Sequence, residues 1–324
     1  MSEPVDHEPV LQEEVLQTLD PAPGKTVFDL TLGLGGHSRL ILARLGEEGL
    51  LVGVERDPQM LAEARRRLEA AGCPRSRYRL LLANHEDLAE LIRHDPQLAD
   101  VPAPDAVLLD LGPSTPQLLD PDRGLSWTSP SLDMRMNPRA GGPTAAEIVN
   151  SWPPKELARI FREYADERWA GPIAQRIAAE RVKGPIESGR RLGEIVAAAI
   201  PRKAWPPRIH PATRVFLALR IEVNGEYRSL QRVLPAAFEA LKPGGRLVVI
   251  TFHGGEDRIV KQFMREKSTA ELPPWPLPQG AARASARLLT RKPLTPREDE
   301  LRHNPRSRSS KLRAIEKLGD ETAG

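Results

Sequence analysis

Short apolar runs alternate with helix-periodic segments in the first third of the chain. The apolar runs have the length of buried strands and are Val27–Leu30, Leu50–Val54, Arg79–Leu82 and Ala106–Leu109. In the segments before and between them, apolar residues recur every three or four positions, as in amphipathic helices. These segments lie at residues 9–20, 40–45, 59–71 and 87–92. Strands that alternate with helices at this spacing predict a parallel α/β sheet with right-handed crossovers.

The next strand pattern, Arg246–Thr251, comes about 135 residues after the fourth strand, whereas a crossover needs about a dozen. The intervening sequence is mostly helix-periodic, at Ala145–Asn150, Glu156–Tyr164, Ile173–Arg181, Leu192–Ile200 and Ala212–Asn224. We therefore predict a helical insert at 125–230 within an α/β domain formed by 1–124 and 231–324. Strand-like runs return in the tail at Arg287–Thr290 and Lys311–Ile315.

Composition excludes several classes of protein. The chain has 324 residues, of which 40% are hydrophobic and 28% charged, so it can form a sizeable core. Its single cysteine, Cys73, excludes an internal disulfide framework and a thiolate metal cluster. No apolar run approaches the roughly 18 residues of a membrane span. The acidic N-terminus has no apolar segment of the signal-peptide kind. We therefore expect a cytoplasmic protein.

The charge is unevenly distributed although the net charge is only +3. Residues 281–324 contain eleven Lys or Arg and six Asp or Glu, a local excess of five positive charges. This excess favours nucleic acid near the C-terminus, and a solvated basic tail fits the charge equally well. If Lys311–Ile315 is a strand, Lys311 and Arg313 share one face. With Arg306 and Arg308 they would then form a basic ridge for phosphates.

The turn after the first strand carries the pattern of a nucleotide cradle, namely an acid, a glycine-rich turn and a helix. Dinucleotide binders require G-x-G-x-x-G, but here Ser38 stands at the third position. The series Asp29-x-Thr31-x-Gly33-x-Gly35, followed by Gly36, instead resembles the S-adenosylmethionine loop of Rossmann-like methyltransferases. A tight turn without function remains the alternative.

Two further carboxylates end predicted strands. Glu55 ends the second strand, where a carboxylate can accept both ribose hydroxyls of NAD or of S-adenosylmethionine. Asp110 ends the fourth, and in open α/β sheets the ligand lies beyond the carboxyl ends of the strands. We expect Asp110 to face the reactive end of the cofactor or the substrate. A turn made with Gly112-Pro113 is its alternative role.

Taken in order, the motifs resemble one family over nearly the whole chain, from about residue 7 to residue 317. They are His7–Leu11, Asp29–Ser38, Leu108–Gln117, Arg123–Ser126, Leu132–Met136, His210–Arg214 with Arg220–Asn224, Phe252–Val260 and Asn304–Arg308. The family is that of the bacterial 16S ribosomal RNA cytosine-N4 methyltransferases, the ribosomal RNA small subunit methyltransferase H family. The resemblance implies a Rossmann-like fold with a helical insert and S-adenosylmethionine as cofactor. It also implies methylation of N4 of a specific cytidine in the decoding region of 16S ribosomal RNA.

The resemblance also carries site residues to this chain. The implied cofactor contacts are Gly33, Gly35, Gly36, His37, Glu55, His85, Asp110 and Gln117. His85 departs from the family pattern, since many relatives have Phe there, but it keeps an aromatic face for adenine. Gly254-Gly255 and Pro113–Thr115 are smaller departures in loops. The expected partner is 16S ribosomal RNA or the small ribosomal subunit, and the oligomeric state stays open.

The chemistry of an exocyclic amine narrows the catalytic candidates. The N4 lone pair is delocalised into the cytosine ring, so the enzyme must hold both N–H bonds with acceptors while the nitrogen attacks. Asp110, the Leu111 carbonyl and the Ser114 hydroxyl are the candidates. Methylation at C5 would need a nucleophilic cysteine. Cys73 lies at a helix end away from the ligand edge, so we exclude that reaction.

Arg214, Asn224 and His253 are candidate substrate residues, with capping, surface or packing roles as alternatives. No His, Asp or Glu spacing indicates a required metal. The alternatives to this function are a methyltransferase for another RNA or a non-RNA substrate, a noncatalytic RNA-binding factor, and an NAD oxidoreductase. The NAD alternative fails on the glycine spacing.

Overall fold

A computed structural model describes residues 8–207, 209–269 and 284–319, so His7 of the first motif lies outside the described residues. The strands are β1 (Thr26–Asp29), β2 (Leu50–Glu55), β3 (Tyr78–Leu82), β4 (Ala106–Asp110), β5 (Arg246–Thr251), β6 (Ala286–Leu288) and β7 (Lys311–Lys317). The α-helices are α1 (Gln12–Leu19), α2 (Gly36–Arg44), α3 (Pro58–Ala70), α4 (Leu88–His94), α5 (Thr115–Leu119), α6 (Ala145–Ser151), α7 (Pro154–Ala165), α8 (Ala170–Arg181), α9 (Gly189–Ala199), α10 (Thr213–Asn224), α11 (Glu226–Ala240), α12 (Gly254–Ser268) and α13 (Glu298–His303).

The chain divides into two compact units. Unit 1 comprises Met1–Gly112 and Ser229–Gly324, and unit 2 comprises Pro113–Arg228. The sequence placed the corresponding boundaries after residues 124 and 230, so the first boundary differs by twelve residues and the second by two. The difference arises because Pro113–Gly124, which includes α5, groups with the helical unit.

Unit 1 contains a seven-stranded sheet in the order β3-β2-β1-β4-β5-β7-β6. The first five strands in this order are parallel, and β7 is antiparallel to both β5 and β6. The strand order reverses at β1, which lies between β2 and β4, and this reversal is where open α/β sheets bind ligands. The doubly wound, Rossmann-like α/β fold predicted from the sequence is confirmed.

The strands are continuous apolar runs because helices cover both faces of the sheet. On β1, Val27 belongs to one apolar cluster and Phe28 to the other, as the alternation of a strand requires. Residues of α1, α2 and α3 complete the first cluster, and residues of α4, α11 and α12 complete the second. Packing on both faces therefore holds the strands and their carboxyl ends in place.

Helices α11 and α12 were missed in the sequence analysis, and one prediction was wrong for that reason. Arg313 does not line an exposed ridge: it is 8% exposed, and its Nε donates to Oδ1 of Asp257 on α12 at 2.7 Å. Lys311 lies on the same side, with Nζ 3.6 Å from Oδ2 of Asp257. Arg306 and Arg308 are exposed in the turn before β7, so they stay candidates for phosphate contact.

Unit 2 is helical and has its own apolar core. The core is formed by residues of α6, α7, α8, α9 and α10, with Phe161 fully buried. Among all the helices described, none is long and apolar enough to cross a membrane.

Candidate active site

The turn between β1 and α2 is held by the carboxylate that ends β1. Asp29 is 1% exposed, and its Oδ2 accepts a hydrogen bond from the Ser38 hydroxyl at 2.7 Å. Its Oδ1 accepts the Thr31 N–H at 3.2 Å. Burial raises the pKa of Asp29 to about 6, although these hydrogen bonds lower it. Asp29 therefore stabilises the conformation of the turn by accepting these two hydrogen bonds.

Two different structural constraints favour glycine in this turn. Gly33 and Gly35 have φ values of 53° and 77°, in the left-handed region that side chains rarely adopt. Gly36 begins α2, and a Cβ atom there would lie 3.2 Å from Cγ of Pro9. The close packing of Pro9 therefore favours glycine at position 36, while the backbone conformation favours it at the other two.

Glu55 connects the turn to the end of β2. Its Oε2 accepts the Gly33 N–H at 2.9 Å, and its Oε1 accepts the Asp57 N–H, also at 2.9 Å. The side chain is 9% exposed, and burial raises its pKa to about 7. Each carboxylate oxygen has accepted one N–H and keeps a second lone pair. Glu55 can therefore order the turn and accept hydrogen bonds from a ligand as well.

Asp110 ends β4 beside the same turn. Its backbone N–H donates to Oγ1 of Thr31 at 2.6 Å, and Nε2 of His37 lies 3.6 Å from its Oδ2. The Oδ1 atom is buried and has no hydrogen-bond partner within the described part of the chain. Burial, together with the nearby Asp29 and Glu256 carboxylates, raises the pKa of Asp110 to about 8. This buried acceptor is therefore available to a ligand.

Two histidines follow strands β3 and β5 at this edge of the sheet. His85 begins the short turn after β3, and burial, assisted by Arg56, lowers its pKa to about 4, which keeps the imidazole neutral. His253 precedes α12 after β5, and its Nε2 lies 3.1 Å from Oε1 of Glu256. The carboxyl ends of parallel strands share one edge of a sheet, so the structure brings the predicted residues of unit 1 to that edge.

The predicted residues Ser114 and Gln117 belong to unit 2. They form a capping box at the start of α5, in which Oε1 of Gln117 accepts the Ser114 N–H at 2.9 Å. Gln117 is 5% exposed. This local capping orders both side chains, and their catalytic and cofactor roles stay predictions.

Asn224 was a candidate for RNA contact, and the structure gives it a positioning role instead. It is 4% exposed, its Oδ1 accepts the Met136 N–H and its Nδ2 donates to the Met134 carbonyl, each at 2.8 Å. Arg123, 6% exposed, donates from Nη1 to the Met136 carbonyl at 2.5 Å. The two side chains hold the loop at Leu132–Met136. Sequence reasoning gave Arg123 no role, although it begins one of the motifs.

Arg214 lies on the surface of unit 2. Its Nη1 donates to the Asp166 carbonyl at 3.2 Å, where α7 ends. The guanidinium is exposed and has further donors, so Arg214 stays a candidate for substrate contact.

The fold and the residues at the carboxyl ends of the strands indicate the class of protein. A doubly wound sheet with a glycine turn after β1, and with acids ending β1, β2 and β4, is typical of Rossmann-like nucleotide-binding proteins. The chain belongs to the MraW methylase family, whose model matches residues 4–318.

Relatives named ribosomal RNA small subunit methyltransferase H match nearly the whole chain. The relative from Syntrophotalea carbinolica is 48% identical, over 96% of this chain and 98% of its own length. That from Geobacter sulfurreducens is 46% identical, over 96% and 99%. That from Thermomicrobium roseum is 44% identical, over 97% and 94%.

Solved structures give a weaker match. The crystal structure of an rRNA methylase from Streptococcus thermophilus has a TM-score of 0.41 and 12% identity, and covers 95% of this chain and 94% of that one. Similarity at this level does not bear on the function of this chain.

Proposed function

We propose that this chain transfers the methyl group of S-adenosylmethionine to N4 of a cytidine in the decoding region of 16S ribosomal RNA. The observation that carries the proposal is the family match over residues 4–318, with relatives at 44–48% identity named for methylation of small-subunit ribosomal RNA. The proposed substrate is 16S ribosomal RNA or the small ribosomal subunit, and the proposed location is the cytoplasm, where that substrate is found.

The residues of unit 1 fit S-adenosylmethionine. The glycine turn approaches the ligand edge without side chains at Gly33 and Gly35. The Glu55 carboxylate has lone pairs left for the two ribose hydroxyls, and Oδ1 of Asp110 is a buried acceptor. The neutral ring of His85 supplies a flat surface of the kind that adenine contacts. When bound, S-adenosylmethionine supplies a methyl group on a sulfonium centre.

Asp110 is the proposed catalytic acceptor. It would accept a hydrogen bond from the cytosine amino group and so localise the nitrogen lone pair for methyl transfer, after which the nitrogen would lose its proton. Its pKa of about 8 means that the carboxylate, the better acceptor, forms as the pH rises through that value. A fixed acceptor in a water-excluded site contributes about 10²–10³ to the rate. Ser114 and the Leu111 carbonyl are the further proposed acceptors.

The experiment is nucleoside mass spectrometry of 16S ribosomal RNA from a strain that lacks this gene. The strain is complemented with the wild type, with Asp110→Asn or with Asp100→Asn as a matched control on an exposed aspartate. We expect N4-methylcytidine to return with the wild type and the control, and to stay absent with Asp110→Asn. Loss of a different methylated nucleoside, or of none, would redirect the assignment to another RNA or to a non-RNA substrate.

A further inference from the structure

Unit 2 carries a stack of aromatic rings that the proposed chemistry does not use. The rings of Trp127 and His210 are parallel within 10°, and their centroids are 4.0 Å apart. The Trp205 ring is tilted by 58° relative to the His210 ring, and their centroids are 6.3 Å apart. The Arg202 guanidinium lies 3.9 Å above the Trp205 ring. We call these four side chains the aromatic stack.

Backbone hydrogen bonds fix the inner rings of the aromatic stack. Nδ1 of His210 accepts the Ala212 N–H at 3.2 Å, and Nε1 of Trp205 donates to the Ile200 carbonyl at 3.1 Å. Burial lowers the pKa of His210, which favours the neutral imidazole. A neutral ring stacks on indole without repelling the neighbouring Arg202. These hydrogen bonds orient the His210 and Trp205 rings before any ligand binds.

The outer ring is exposed, which the core of unit 2 does not explain. Trp205 packs against that core, whereas Trp127 lies outside it and is 41% exposed. An indole left in water at the end of an ordered stack provides apolar contact area that costs little to immobilise. Packing against the core of unit 2 therefore explains the presence of a tryptophan at position 205 but not at position 127.

Three of the four side chains of the aromatic stack lie in a stretch of the sequence that is rich in positive charge, although Arg220 within it is ion-paired with Glu226. The sequence from Ile195 to Ile221 contains five Lys or Arg and no Asp or Glu. Arg202 and Lys203 are exposed within this stretch, and Arg202 is part of the stack itself. Exposed aromatic rings interleaved with cations suit unpaired nucleic acid, whose bases stack while its phosphates attract the positive charge.

We propose that the aromatic stack is a platform on which one unpaired base of the RNA substrate stacks against Trp127. The RNA partner rests on the proposed function, but the stacking itself is tested separately. Every base has a flat π face, so the platform contributes affinity for single strands rather than choice of sequence. A base-paired nucleotide has its faces covered by its neighbours and gains nothing from Trp127.

The test is fluorescence anisotropy of a labelled twelve-nucleotide oligocytidine RNA and of a duplex RNA of equal length. Trp127→Ala and Trp127→Leu should weaken binding of the single strand about 5- to 150-fold, the effect of removing one stacked base. Binding of the duplex should stay within about twofold. Trp127→Phe keeps an aromatic face and should retain most of the affinity.

The controls separate stacking from folding and from charge. Thermal unfolding should show that all three variants are folded at the assay temperature, and S-adenosylmethionine affinity should match the wild type, because none of the proposed cofactor residues belongs to the aromatic stack. Arg202→Gln should flatten the salt dependence of single-strand binding by about 0.7 log units, whereas Arg168→Gln, an exposed arginine outside the stack, should not.

Two outcomes would overturn the platform: unchanged binding of the single strand by Trp127→Ala and Trp127→Leu, or equal losses for single strand and duplex. Because these measurements contain no methyl transfer, they stand if the methylated nucleoside proves to be a different one. Conversely, if the N4 assignment holds and Trp127→Ala binds like the wild type, the platform alone fails.

Discussion

Glu55→Gln is expected to change how the stability of this protein depends on pH. The folded protein holds the pKa of Glu55 at about 7, against an ordinary value of 4.5, because the carboxylate is buried at the end of β2. Since the folded pKa is the higher one, the native state binds the proton more tightly than the unfolded state. Stability from this group is therefore complete below pH 4.5 and is lost as the pH rises through 7.

The size of the loss follows from the two pKa values. The difference between the two pKa values, 4.5 and about 7, corresponds to roughly 3 kcal/mol in the free energy of unfolding. About 2–3 kcal/mol of this is lost between pH 5 and pH 8. Glutamine stays neutral, so this loss disappears in Glu55→Gln. The amide also replaces one of the oxygens that accept the Gly33 and Asp57 N–H groups, which subtracts about 1–3 kcal/mol at every pH.

Urea unfolding at pH 5, 6, 7 and 8 measures the effect. We expect the wild-type stability minus the Glu55→Gln stability to fall by about 2–3 kcal/mol from pH 5 to pH 8. Subtracting the two profiles cancels Asp29 and Asp110, whose raised pKa values act in the same direction. Glu48→Gln, on an exposed side chain, serves as the control.

The same variant tests the cofactor role of Glu55. Calorimetry at pH 8 should show S-adenosylmethionine affinity lower by about 1–3 kcal/mol in Glu55→Gln, since ribose hydroxyls lose a charged acceptor. A difference profile that is flat with pH would refute the burial argument. Unchanged cofactor affinity would instead show that the ribose lies elsewhere.

Three further predictions concern other residues. Asp110→Asn should reduce methyl transfer by about 10²-fold or more at saturating cofactor with the fold intact, and near-normal turnover would contradict its role as acceptor. Asn224→Ala should lower the free energy of unfolding by about 1–3 kcal/mol, because it leaves the Met136 N–H unsatisfied, and an unchanged urea midpoint would count against this. Replacing Arg306 and Arg308 with Gln should raise the apparent KM for RNA and flatten its salt dependence by about 0.7–0.9 log units per lost contact, whereas identical slopes would mark a solvated surface.

Local patterns predicted β1 to β4 because these strands are largely apolar and each follows a segment of helical periodicity. Helices α11 and α12 were harder to recognise. Pro235 interrupts the pattern of α11, and α12 starts at Gly254-Gly255, which reads as a loop. Because α12 was not predicted, Asp257 could not be identified as the partner of Arg313. Arg313 was therefore predicted to lie on an exposed basic ridge, whereas it forms a buried ion pair.

The site shows the same limit. The acids at Asp29, Glu55 and Asp110 were identified because strand ends share one edge, which is a rule of topology. Periodicity could not distinguish the buried Asn224 from an exposed polar residue, because its partners at Met134 and Met136 lie about 90 residues earlier in the chain. Polar side chains that hold distant loops require the three-dimensional structure.

The placement of β7 has a consequence for synthesis of the chain. Unit 2 is contiguous, whereas unit 1 needs residues from both sides of it. Strand β5 obtains its second neighbour only when Lys311–Lys317 has emerged, since β7 inserts between β5 and β6. At about 5–20 residues per second, the roughly 60 residues after β5 take about 3–12 s to translate. During that interval β5 is an unpaired apolar edge of the kind that promotes aggregation. A premature stop just before residue 311 would therefore yield an aggregating chain, even though both the glycine turn and unit 2 have already been made.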